Sequence, residues 1–199
     1  MNTNAPLRLL LLSAALLISA CATEAPVDAD SAHVRTSAQM MAAVQQAAKG
    51  NDERELDVQP LRDSQVEDLR EDAANALRRG DTAAAAAALD QALAIVAEDP
   101  AVLQERAEVA LAQGDLERAE AWALQAANLG SAVGPWCRRH WETVRQVRER
   151  GREIAAVPPR RANEARLAEQ ARLLAEADRG VAEARQRFDT CTVPGINRM

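Results

Sequence analysis

Aromatic residues are nearly missing from this chain. Its 199 residues include three tryptophans (Trp122, Trp136 and Trp141), one phenylalanine (Phe188) and no tyrosine. A β-sandwich or barrel fills its pleated faces with aromatic and β-branched side chains, so that class is set aside. A platform for single-stranded nucleic acid stacks bases on aromatics along a basic groove. With so few aromatics and a net charge of −6, no nucleic-acid partner is expected. Histidine occurs only as His33 and His140, and the three cysteines form no Cys-x-x-Cys. A metal site therefore lacks its usual ligands, and no metal or cofactor is expected. A glycine-rich phosphate loop, G-x-S-x-G and His-Glu-x-x-His are all missing too, so no catalytic residues can be named. What is abundant is alanine, with 45 residues. The composition predicts an all-α protein of about one domain's length.

The amino terminus carries an address. Arg8 precedes an unbroken run of apolar and small residues from Leu9 to Ala20. A membrane-spanning helix needs about 20 such residues, so the run matches the core of an export signal instead. It ends in Leu17-Ile18-Ser19-Ala20-Cys21. An aliphatic residue, two small residues and a cysteine resemble the lipobox of bacterial lipoproteins; Ala20-Cys21-Ala22 would also serve an ordinary secretory cleavage site. The lipoprotein resemblance implies a signal peptide over 1–20 and lipid attachment at Cys21. It implies retention at the outer membrane, since Ala22 rather than aspartate follows the cysteine. Residues 21–35 are polar, acidic and without period, and read as a flexible tether that includes His33. Thirteen extended residues reach roughly 45 Å.

Compared with itself at a shift of 34, the chain repeats. Leu69, Ala73, Ala76, Leu77, Gly80, Asp81, Ala85 and Ala92 pair with Leu103, Ala107, Ala110, Leu111, Gly114, Asp115, Ala119 and Ala126. Within each unit the apolar residues follow a helical period. Gly-Asp then breaks the chain, glycine suiting a left-handed helix end and aspartate capping the next helix. Alanine at matched positions lets helix axes approach closely. One helix pair cannot bury its apolar face alone, so the units must stack. This pattern resembles the tetratricopeptide repeat family over residues 66–133, with the family's aromatic positions filled by leucine and alanine. The resemblance implies helical hairpins, two repeats plus a capping helix, in a domain over 64–150.

The capping helix is expected over 135–149, ending before Gly151 and Pro158-Pro159, with His140 on its surface and its tryptophans filling core space. A short helix over 36–49, with Met40, Met41 and Val44 as its apolar side, leads through an extended segment to residue 63. Residues 151–199 should hold a long helix from about Arg160 to Phe188. Leu167, Leu174, Val181 and Phe188 recur every seven residues, for packing on the body or for a self-associating coiled coil. With Cys21 lipidated, Cys137 and Cys191 form an even set in an oxidising compartment, where a disulfide would pin the tail to the capping helix; two free buried thiols are the alternative.

Charge is uneven. Residues 22–133 hold 9 basic and 21 acidic side chains, and residues 134–199 hold 14 arginines against 9 acids. Such a basic end can attract an acidic protein, a lipid headgroup or a glycan, or can be paired along helix faces as with Arg145 and Glu149. The family resemblance implies a ligand groove made by the first helices of each hairpin. Register places Arg70, Arg78, Gln104, Glu108, Arg138 and Arg145 near it. The lysines and asparagines of the family's clamp for chaperone tails are missing. The expected function is a non-catalytic scaffold or adaptor in a periplasmic envelope assembly, with an envelope protein or peptide as partner. A carboxylate-dependent glycan-cleaving enzyme and a self-assembling helical lipoprotein are the alternatives.

Overall fold

Capping chemistry in the sequence sets most of the helix boundaries. The computed structural model describes residues 34–49 and 63–192. The expected signal, Cys21, the expected tether up to His33, residues 50–52, the segment expected to be extended over 53–63 except its last residue, and the tail past Thr192 lie outside the described residues. Seven helices are described: α1 (Ser37–Lys49), α2 (Ser64–Arg78), α3 (Thr82–Ile95), α4 (Pro100–Gln113), α5 (Leu116–Leu129), α6 (Gly134–Ala156) and α7 (Glu164–Thr190). There is no strand among the described residues, and the chain is all-α.

The side chains of Asp63, Asp81, Asp99, Asp115 and Asn163 cap α2, α3, α4, α5 and α7, each accepting a hydrogen bond from a backbone N–H of the first turn. The Gly-Asp turns repeat one geometry. Gly80 and Gly114 have φ of 79° and 78°. Asp81 N donates to Ala76 O and Asp115 N to Ala110 O, both at 2.9 Å. Gly80 N donates to Leu77 O and Gly114 N to Leu111 O. Each turn is thus a helix end closed by two reverse hydrogen bonds around a left-handed residue. A Cβ at either glycine would meet nothing within 4 Å. Glycine is needed there for its backbone angle, since space is open.

The hairpins α2–α3 and α4–α5 share an interior. One buried cluster joins Val66, Ala73 and Ala76 of α2, Ala85, Leu89 and Ala92 of α3, and Val102 and Val109 of α4. The matched alanines 73, 85, 92, 107, 119 and 126 are all buried, as close approach of the axes requires. A second cluster joins Ala110 and Leu111 of α4, Ala119 of α5 and Val147 of α6 to Met40 and Val44 of α1.

The expected end of the capping helix needs correction here. The helix beginning near Pro135 does not stop at Gly151. It runs to Ala156, and α7 packs along it as a third, longer hairpin. A lone glycine weakens a helix by only about 1 kcal/mol, which the α6–α7 contact offsets. Leu174, Val181 and Phe188 of the sevenfold stripe are half-buried and Ala184 is buried, while Leu167 is exposed. Cys137 and Cys191 are joined as a disulfide, with Cα atoms 5.5 Å apart. The Gly134 N–H also donates to Cys191 O at 2.8 Å, so the end of α7 is fastened to the start of α6 twice.

Candidate functional site

The face formed by the first helices of the hairpins, α2, α4 and α6, is partly covered from within. Helix α1 lies on α4 and α6. Met40 and Val44, four residues apart and so on one side of the helix, are fully buried there. Polar contacts fix both ends of α1. Just before it, Arg35 donates from Nε and Nη2 to Glu153 Oε1 at 2.9 and 2.7 Å, and from Nη1 to Gln146 Oε1 at 2.6 Å. The Arg35 N–H adds a bond to Glu153 Oε2 at 2.8 Å, and Glu149 also pairs with the guanidinium. Burial alone would raise the Glu153 pKa, but Arg35 outweighs it and holds the carboxyl below its usual range. At the other end, Arg138 Nε donates to Ala47 O at 3.2 Å.

Where α1 stops covering α4, a cleft of about 390 Å³ opens between α1, α2, α4 and α6. Its apolar wall includes Met41, Ala73, Leu77 and Val109, and its polar rim includes Gln45, Arg70, Arg78, Glu105, Glu108 and Arg139. The charged side chains are held in place. Arg70 donates to Glu105 at 2.9 and 2.6 Å and to Glu67 at 2.8 and 2.9 Å. Burial would lower the Arg70 pKa, yet the two carboxylates more than reverse it and raise it. Arg139 reaches Glu108 at 2.7 Å with its guanidinium 4.9 Å from the Trp136 ring. Arg78, whose guanidinium meets Asn75 and no carboxylate among the described residues, stands beside small apolar side chains in a wall that can seat the apolar side of a peptide and pair with its carboxylate.

The six residues placed at the groove by register therefore divide. Arg70 and Arg78 line the cleft. Glu108 reaches its edge but is buried, and Gln104 and Arg138 are buried outside it. Arg145 is half-buried, engaged by Glu142 and Glu149. Register gives the side of a helix on which a residue stands, but it does not tell what lies on top. Here α1 closes over α4 and α6 in the middle of the face.

Beneath that cover is a polar network absent from the sequence reading. Gln104 Nε2 donates to Glu108 Oε1 and to Thr143 Oγ1, both at 2.8 Å, and Gln104 Oε1 lies 2.9 Å from His140 Nδ1. The expectation of a surface His140 is wrong: the residue is 1 % exposed. Burial, with a smaller effect from the neighbouring Arg139 charge, pushes its pKa down to about 3. Its Nε2 has no hydrogen-bond partner among the described residues and abuts Gly130. A pattern of i, i+4 residues on one helix carries no signal for a network built between α4 and α6.

No group of three or more metal-ligating side chains occurs among the described residues. No described helix is long and apolar enough to cross a membrane. No protein-family model matches the chain, and no match is found among curated proteins or among solved structures.

Proposed function

We propose that the protein is an outer-membrane lipoprotein, anchored through Cys21 and facing the periplasm, that acts as a tetratricopeptide-like scaffold for an envelope protein. Its binding site is the cleft beside α1, and its ligand is a short apolar peptide or helix carrying a carboxylate. The observation that supports this most directly is the seating of α1. Helix α1 buries Met40 and Val44 on α4 and α6 while arginine side chains hold its ends, and this supports the reading of the face as one suited to an apolar helix. The adjoining cleft continues that surface with Arg70, Arg78 and Arg139 at its rim. Two repeats offer a small groove, so binding there should be weak unless other contacts add to it.

Site-directed photo-cross-linking in the living envelope tests the proposal. A photoreactive residue at Ala74, on the cleft, should label one defined polypeptide, and the same probe at Ala87, exposed on α3, should not. The Arg70→Ala variant should lose the Ala74 product. Equal labelling from both positions, or an Ala74 product unaffected by Arg70→Ala, contradicts the assignment.

A further inference from the structure

The turn between α6 and α7 brings exposed basic and exposed aliphatic side chains together. Along these helices, Arg139, Arg145, Arg148, Arg152, Arg172 and Arg185 each meet a carboxylate, whereas Arg150 donates to Arg35 O, Arg187 lies over the Trp141 ring and Arg179 stands singly on α7. At the turn, Arg160, Arg161 and Arg166 are exposed and have no carboxylate partner among the described residues. Of the acids nearby, Glu153 is taken by Arg35 and Glu169 by Arg172, leaving Glu164. The same tip exposes Ile154, Val157 and Leu167, at 51, 46 and 49 %. It is not a loose loop. Gln170 Nε2 donates to Ala155 O and Val157 O, both at 2.9 Å, and Asn163 caps α7. A fixed tip that mixes exposed aliphatic side chains with unneutralised arginines suits an anionic lipid interface, where the apolar groups enter and the guanidinium groups remain at headgroup level.

The path of the chain points to the same surface. The described chain begins at Val34, and Arg35 is fastened to Glu153, one residue before Ile154. The first described residues thus lie beside the tip. We infer that the α6–α7 tip, through Ile154, Val157, Arg160, Arg161, Arg166 and Leu167, is a docking surface for an anionic phospholipid bilayer. The choice of a bilayer rests on the anchoring proposed above; the chemistry of the tip does not, and the two are tested separately. Lipid chain and basic tip then act as the two signals that stable membrane attachment requires. Docking then holds the repeats in one orientation on the bilayer.

The test uses the full chain with Cys21→Ser, so that no acyl chain contributes. Cosedimentation is measured with vesicles of phosphatidylglycerol and with vesicles of phosphatidylcholine. Arg8 and residues 9–20 are common to parent and variants, so the comparison between them on phosphatidylglycerol isolates the tip. The chain should prefer phosphatidylglycerol, and added salt should weaken the preference. Each basic residue near an anionic surface is worth about 1 kcal/mol, or roughly fivefold. The triple variant Arg160→Ala, Arg161→Ala, Arg166→Ala should therefore bind phosphatidylglycerol about a hundredfold more weakly, with unchanged circular dichroism. Val157→Ser should weaken binding severalfold with all the arginines present. Equal binding to the two vesicle types, or full binding by the triple variant, overturns the inference. Binding to soluble polyglutamate as strong as to phosphatidylglycerol also overturns it and assigns the tip to an acidic protein. Loss of Cys21 acylation in cells leaves these results unchanged, so failure of the anchor and failure of the tip are distinguishable.

Discussion

His140 shows what a single side chain records of the whole fold. Its burial holds the imidazole neutral, with a pKa down to about 3 against an ordinary value of 6.5. Below pH 6.5 the unfolded chain takes up a proton that the folded chain cannot, so stability present above that pH is lost as the pH falls toward 3. Denaturant unfolding should show a loss of roughly 1.5 kcal/mol between pH 6.5 and 5, and His140→Gln should remove most of that slope. A slope unchanged by the substitution contradicts the buried placement. The glycines offer an opposed pair. Gly80→Ala and Gly114→Ala place a Cβ at φ of 79° and 78° and should each cost about 1–2 kcal/mol. Gly151→Ala, in an open position within α6, should stabilise by about 0.5–1 kcal/mol. Gly80 and Gly114 were legible from sequence because a helix end is a local event. His140 was not, since Gln104, 36 positions away, supplies its partner.

At the scale of elements, hairpins were easier to foresee than docking. The matched alanines and the Gly-Asp turns locate α2 to α5 within a residue or two, because capping and period act over a few residues. Helix α1 was visible as an apolar stripe of Met40, Met41 and Val44, but a stripe does not name the surface it will cover. That hidden contact moves Arg138 and the middle of the expected groove into the interior. Met40→Ala, at a fully buried position, should destabilise by about 2–5 kcal/mol. Because Met40 packs among residues of α4, α5 and α6, the Ala74 cross-link on α2 should persist as long as the variant is folded. The disulfide closes 54 residues. Its reduction should lower stability by about 4 kcal/mol in the chain-entropy account. Alkylation of Cys137 and Cys191 only after reduction would confirm the pairing, and labelling without reductant would refute it.

For the whole molecule, charge and chain path give the hairpins a direction. Many of the arginines past residue 133 are paired with carboxylates of α4, α5, α6 and α7, and three exposed ones without a carboxylate partner among the described residues, Arg160, Arg161 and Arg166, stand together at one tip. The sequence shows the excess but not where the pairing stops, because pairing is decided by side chains from different helices, as with Arg148 and Glu120. In the proposed account, the cleft and the tip lie on one rigid stack that is held to a membrane at Cys21. Cys21→Ser should release the protein from the membrane fraction at high salt, and unchanged fractionation would count against the anchor.

That account requires the hairpins to be one cooperative body, and Leu89 tests this most directly. It is buried on α3 among residues of α2 and α4, whereas all three tryptophans lie beyond the first hairpin, at 122, 136 and 141. Denaturant unfolding of Leu89→Ala should be followed by tryptophan fluorescence and by helical circular dichroism. A shared interior predicts a single transition, with both signals displaced together by about 2–5 kcal/mol. A fluorescence transition that stays at the wild-type midpoint while the dichroism splits in two would show that the hairpins fold apart.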